Sequence, residues 1–223
     1  MKTNVEMFSE KVNQLYVGLD VHKNQWSVCM RTEEFEHKTF TQPPNPEILY
    51  DYIQKNFSSY QVICAYEAGF CGYWISEQLK SYGFECLVLN AVDIPGSDKD
   101  TQRKTDRVDC RKIARELSKG EVQGIFQPDR AQQGFRNLFR QRNKLVKQLR
   151  VVKNNIRSLL FFNGTQIEKE YENGNWSLSF RKWLQAIPMD TNTNRLSLDS
   201  MLRRLDFLQQ EYLVVVKQLL SYV

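Results

Sequence analysis

The feature that most constrains this chain is the run at residues 15–20, Leu-Tyr-Val-Gly-Leu-Asp. A short apolar, β-branched run reads as a fully buried strand, and this one ends on a carboxylate that a strand terminus would hold rigidly at a sheet edge. Residues 61–66 (Gln-Val-Ile-Cys-Ala-Tyr) repeat the pattern and end at Glu67, followed at once by Ala68-Gly69, where a strand turns into a loop. Asp106 and Asp109 lie three apart where helical periodicity begins, a spacing that puts both carboxylates on one helical face. Asp20, Glu67, Asp106 and Asp109 together make an oxygen-only ligand set of the kind that hard cations such as Mg²⁺ or Mn²⁺ require.

The pattern around these acids predicts an α/β domain. After the first strand, residues 21–24 read as a hairpin connection, and residues 25–31 and 34–41 as two antiparallel strands. A helix is expected over 47–57, the strand ending at Glu67 next, a helix over 72–82, a strand over 84–90 and an exposed loop over 93–105. A helix from about 106 to 118 then stops near Gly120. Three strands followed by alternating helices and strands imply a mixed sheet with flanking helices.

The remainder reads as helical. Leu138, Leu145, Leu149, Val152, Ile156 and Leu159 fall on one heptad seam, with Arg142 in its polar position. A second seam runs through Leu198, Met201, Leu205, Leu208, Tyr212, Val215, Leu219 and Tyr222, and a short helix is expected at 176–187. Two such helices suit either an antiparallel pair or a dimerising coiled coil, and through the coiled coil a homo-oligomer (dimer or tetramer) is expected. Ser197 and Ser200 read as helix-start residues.

Charge is unevenly spread. The excess behind the net charge of +5 sits in residues 130–160, which carry nine basic side chains and no acid: Arg130, Arg136, Arg140, Arg142, Lys144, Lys147, Arg150, Lys153 and Arg157. A merely soluble helix interleaves both signs, so this face predicts a polyanionic partner. Lys104 and Arg107, flanking the acid pair, are further phosphate-contact candidates. The five cysteines are scattered without a C-x-x-C pair, and no stretch approaches 18 apolar residues. A reduced, cytoplasmic protein without structural zinc, signal peptide or membrane span is the expectation. The chain stops inside the second heptad helix with no cap or polar tail, which is expected of a fragment.

Gly18-Leu19-Asp20-Val21-His22-Lys23, Tyr66-Glu67-Ala68-Gly69 and Lys104-Thr105-Asp106-Arg107-Val108-Asp109, in this order, resemble the DEDD-type insertion-sequence transposases, a family that includes Piv-like invertases and bridge-RNA-guided recombinases. The resemblance covers roughly residues 15–160. It implies a RuvC-like, RNase H-like fold over 15–125, after an N-terminal tail at 1–14 and before a helical coiled-coil region at 126–223. It makes Asp20, Glu67, Asp106 and Asp109 the metal-binding catalytic tetrad. Donor and target DNA are the implied substrates, a structured noncoding RNA the implied guide, and the bacterial nucleoid the implied place of action. A nucleophilic serine is implied too, in a C-terminal domain outside these residues, leaving this piece inactive alone.

Each acid also has a plainer structural reading. Asp20 could cap a turn, and Asp106 and Asp109 could be first-turn acids favoured by the helix dipole. Glu67, directly after a buried run, is harder to explain without a partner. His22, beside Lys23, reads as a solvated turn residue rather than a general base. An actin-like kinase would need a glycine-bearing phosphate turn where Val21-His22-Lys23 stands. A junction-resolving nuclease of the same fold, and a non-catalytic RNA- or DNA-binding module, remain as rivals.

Overall fold

The computed structural model describes residues 13–94, 106–171 and 176–222; the side chains of Asp106 and Arg107 lie outside that description. Lys104 and nearly all of the loop expected at 93–105 lie outside it as well. The chain divides into two compact units between Gln127 and Pro128.

In the first unit, β1 (Gln14–Val21), β2 (Trp26–Arg31), β3 (Glu36–Gln42), β4 (Gln61–Glu67) and β5 (Glu85–Leu89) form one sheet in the order β3-β2-β1-β4-β5. β1 pairs antiparallel with β2, as does β2 with β3, whereas β1–β4 and β4–β5 are parallel. With α1 (Pro46–Phe57), α2 (Trp74–Ser81) and α3 (Asp106–Lys119), this is an RNase H-like α/β fold. β1 is central and covered on both faces, which is why its sequence is continuously apolar. Its hairpin to β2 closes through the His22 amide, which donates to the Gln25 carbonyl at 3.1 Å. β3 lies at the edge and alternates exposed and partly buried residues. It starts two residues later than the pattern suggests because Glu34 and Phe35 are used in a turn, closed by the Thr32 amide on the Phe35 carbonyl at 3.0 Å. Helix α1 begins where Asn45 accepts from the Glu47 amide at 2.9 Å, with Pro46 at its first position.

Strand alternation separates two layers. Leu15, Val17 and Leu19 join Val28, Met30, Cys64 and Tyr66 against Leu49 and Ile53 of α1 and Ile75 and Leu79 of α2. Tyr16, Ala65 and Leu89 pack on the opposite face with Ile113 and Leu117 of α3.

The second unit contains α4 (Arg130–Phe162), α5 (Leu178–Ala186) and α6 (Asn192–Leu220). Asp129 caps α4 by accepting from the Gln132 amide at 2.7 Å. The two long helices pair antiparallel within one chain. At one end Asn194 Nδ2 donates to Asn163 Oδ1 at 2.7 Å, and at the other the rings of Phe135 and Tyr222 meet at 5.8 Å. Leu145, Val152, Ile156 and Leu160 face Leu198, Leu202, Leu205, Leu208 and Val215, and Phe180 and Leu184 of α5 complete this core. Arg142, the polar seam position, lies over the Tyr212 ring at 5.7 Å. Ser197 and Ser200 are interior residues of α6, not helix-start residues. The cap is Thr191, whose hydroxyl accepts from the Asn194 amide at 3.2 Å, while Ser197 donates back to the Thr193 carbonyl at 2.9 Å.

Candidate functional site

Two strand ends lie side by side in the sheet, and helix α3 packs across the face they share. In the parallel pair β1–β4, Leu19 is registered with Tyr66, so Asp20 and Glu67 are neighbours at the strand termini. Alternation puts Asp20 on the same face as Tyr16 and Gly18, and Glu67 on the face of Ala65. Helix α3 covers this face. It crosses β1 so tightly at Gly18 that a Cβ there would stand 2.1 Å from the Cys110 carbonyl oxygen and 2.5 Å from the Ala114 nitrogen. Tyr16 packs with Ile113 and Leu117, and Gly18 lies under Cys110 and Ala114, so successive residues of β1 meet successively earlier turns of α3. The turn bearing Asp106 and Asp109 therefore extends toward Asp20.

Electrostatics agree with that proximity. Burial, followed by the neighbouring Cys29 thiol and the Asp20 charge, pushes the Cys110 thiol up to about 12. Asp20 is 19% exposed, and its Oδ2 is 3.2 Å from His22 Nε2. Glu67 is exposed, and the turn after it carries the exposed ring of Phe70. Among the described residues no group of three or more His, Cys, Asp and Glu closes into a metal-binding cluster. Asp20, Glu67 and Asp109 nevertheless supply carboxylate oxygen alone, a donor set that fits Mg²⁺ or Mn²⁺ and not the softer metals that seek thiolate.

The second candidate surface is α4. Arg136, Arg140, Lys144, Lys147, Arg150 and Arg157 are exposed along it. Arg142 and Lys153 are half-buried and turned onto rings, Arg142 over Tyr212 and Lys153 over Trp176 at 5.5 Å. Burial, reinforced by the nearby Arg181 and Arg157 charges, lowers the Lys153 ammonium below its ordinary value.

The family model for DEDD transposases of the IS110 type, described as a transposase, matches residues 17–162, a span that begins inside β1 and ends at the last residue of α4. This chain belongs to the IS110-type DEDD transposase family. It is 26% identical over 192 residues to a putative transposase, y4qE, of Sinorhizobium fredii, covering 84% of this chain and 48% of that protein. It is 30% identical over 179 residues to the transposase for insertion sequence element IS1533 of Leptospira borgpetersenii, covering 78% of this chain and 51% of that protein. The chain spans about half the length of these curated relatives.

Two features of this transposase chain are missed by sequence reading. His22, expected to be merely solvated, lies against Asp20, a contact set by the tightness of the β1–β2 turn. Glu116 of α3 is a buried acid bonded by Arg115 at 2.7 Å and Lys119 at 3.1 Å. Burial alone would raise its carboxyl, but the two cations outweigh it and hold the group below its ordinary value. Its partners make it a structural ion pair on α3. The adjacent Arg115 and the i, i+3 Lys119 are the only sequence signals for it.

Proposed function

We propose that this IS110-type transposase chain contributes the acidic, divalent-metal-dependent half of an active site that cuts and rejoins donor and target DNA. The observation that carries the reading is the approach of α3 to β1 at Gly18, which directs the Asp106–Asp109 turn toward the strand ends of Asp20 and Glu67. A bound Mg²⁺ or Mn²⁺ supplies charge neutralisation at a scissile phosphate. Asp20, Glu67, Asp106 and Asp109 are the residues that would hold it; rigid strands carry the first two and a helix the others, which limits the reorganisation needed on loading. His22 braces the Asp20 carboxylate. The nucleophilic serine belongs, in this proposal, to a domain outside these residues.

The exposed basic residues of α4, with Lys104 and Arg107, engage nucleic acid, and a structured noncoding RNA serves as guide, with base pairing supplying the sequence choice. The protein acts on the bacterial nucleoid; none of its described helices is long and apolar enough to cross a membrane. Self-association as a dimer or tetramer is part of the same proposal. Because the α4–α6 seam is closed within one chain, it would use outward residues such as Phe207 and Val214.

The test is calorimetric titration with Mn²⁺ of the wild type and of Asp20→Asn, with thermal unfolding as a control. We expect saturable binding by the wild type and at least a tenfold loss in the variant, at an unchanged melting temperature. Asp20→Ala in the full-length transposase should likewise abolish DNA rearrangement. Equal Mn²⁺ affinity in the two proteins would sink the assignment.

A further inference from the structure

Helix α4 ends on two phenylalanines, Phe161 and Phe162, each 87% exposed. Their exposure is not the fraying of a loose terminus. The amides of Asn163, Gly164 and Thr165 donate to the carbonyls of Leu159, Phe161 and Leu160 at 3.1, 3.0 and 2.9 Å, and Gly164 adopts φ +67° to reverse the chain. Leu160 before the turn and Ile167 after it are both drawn into the core. The turn is thus anchored on both sides while two rings are presented to water, an arrangement that burial energetics opposes.

Beside the rings is a groove of about 740 Å³ between Arg157, Leu160, Phe161, Thr165, Gln166 and Ile167. A shallower hollow between Arg157, Ser158, Phe161 and Phe162 adjoins it. Arg157 lines both hollows, and its guanidinium lies over the Trp176 ring at 5.8 Å. The same helix carries the exposed cations Arg136, Arg140, Lys147 and Arg150 and has no acid anywhere between Arg130 and Phe162.

Charge complementarity decides what fits here. An apolar protein surface would match the rings but would have to desolvate Arg157 without neutralising it. A fully paired duplex would match the charges but offers no open base face to the rings. Unpaired nucleotides satisfy both, because their phosphates pair with the basic track and their bases stack on aromatic and guanidinium planes. The Thr165 hydroxyl and the Gln166 amide add both donors and acceptors, which suits a ribose 2′-hydroxyl that DNA lacks. We infer that the Phe161–Phe162 end of α4, with Arg157, is a stacking platform for unpaired RNA nucleotides. The inference rests on the reading of α4 as a nucleic-acid surface and adds to it the residues that distinguish single strands from duplexes.

The test uses the whole 223-residue chain and fluorescein-labelled 12-mers of one mixed sequence, as single-stranded RNA, single-stranded DNA and RNA duplex, at about 0.15 M salt. Phe161→Leu/Phe162→Leu keeps apolar volume and removes the π faces, whereas Phe161→Tyr/Phe162→Tyr restores them. The leucine pair should lose about tenfold or more in affinity for single-stranded RNA and change by less than about twofold on the duplex; the tyrosine pair should bind like the wild type. Single-stranded DNA should bind more weakly than RNA to the wild type. An equal loss on single strand and duplex, or no loss at all, overturns the platform. An effect confined to DNA overturns the RNA assignment. A leucine pair that binds no less RNA but no longer self-associates in sedimentation overturns it in favour of a protein interface. Failure of the wild type to bind any of the probes defeats the nucleic-acid reading itself, a result distinct from a wild-type-like leucine pair.

Discussion

A Cβ on Gly18 would collide with main-chain atoms of α3, not with a flexible side chain that could swing aside. Gly18→Ala should therefore cost about 3 kcal/mol, read as a lower urea midpoint, because the helix must lift from the sheet. The same displacement should open the buried cluster of Cys29, Cys110 and Ala114, so that Cys110 gains reactivity toward a thiol reagent at pH 8. An unchanged midpoint would mean that α3 is not pinned there. At this scale the sequence was informative about Asp20 and Glu67, because each closes an apolar run and the strand alone positions it. It was uninformative about Gly18, since a strand glycine announces a close approach without naming the partner, and about His22, whose contact depends on a turn geometry.

Among elements, α4 was legible in extent and in charge, because a heptad seam and the absence of acids are periodic, one-dimensional signals. Replacing Arg136, Arg140 and Lys147 with Gln should lower the slope of log affinity against log salt for duplex DNA by about 2–3 without altering the melting temperature. A slope equal to the wild type's would remove these three side chains from the phosphate track. The seam was less legible at its far end. Leu160 is fully buried whereas Leu159 is only partly so. A straight helix drifts about 20° per heptad against a strict seven-residue repeat, and α5 supplies a second apolar neighbour that the two-helix pattern did not contain. The inward turn of Lys153 onto Trp176 was hidden for the same reason.

At the scale of the whole molecule, the cores of the two units share none of the described residues: one is built on the sheet and the other on α4, α5 and α6. Calorimetry should accordingly resolve two unfolding transitions. Gly18→Ala is expected to lower one of them, and Ile156→Ala, which removes a fully buried side chain from the helical core, to lower the other by about 3 kcal/mol. A single transition shifted by both variants would show the units to be energetically one. The alternation of strands and helices gave the α/β class, but the choice between an intramolecular helix pair and a dimer was beyond any heptad pattern, since the same seam serves both. The close seat of α3 on β1 also has a consequence in time. Asp20 and Glu67 are synthesised well before the helix that approaches them, so a chain emerging from the ribosome carries two of its acids long before the rest can dock. The packing of β1 against α3 is therefore completed only once residue 119 has cleared the exit tunnel, and until then the sheet face at Gly18 lacks the helix that covers it.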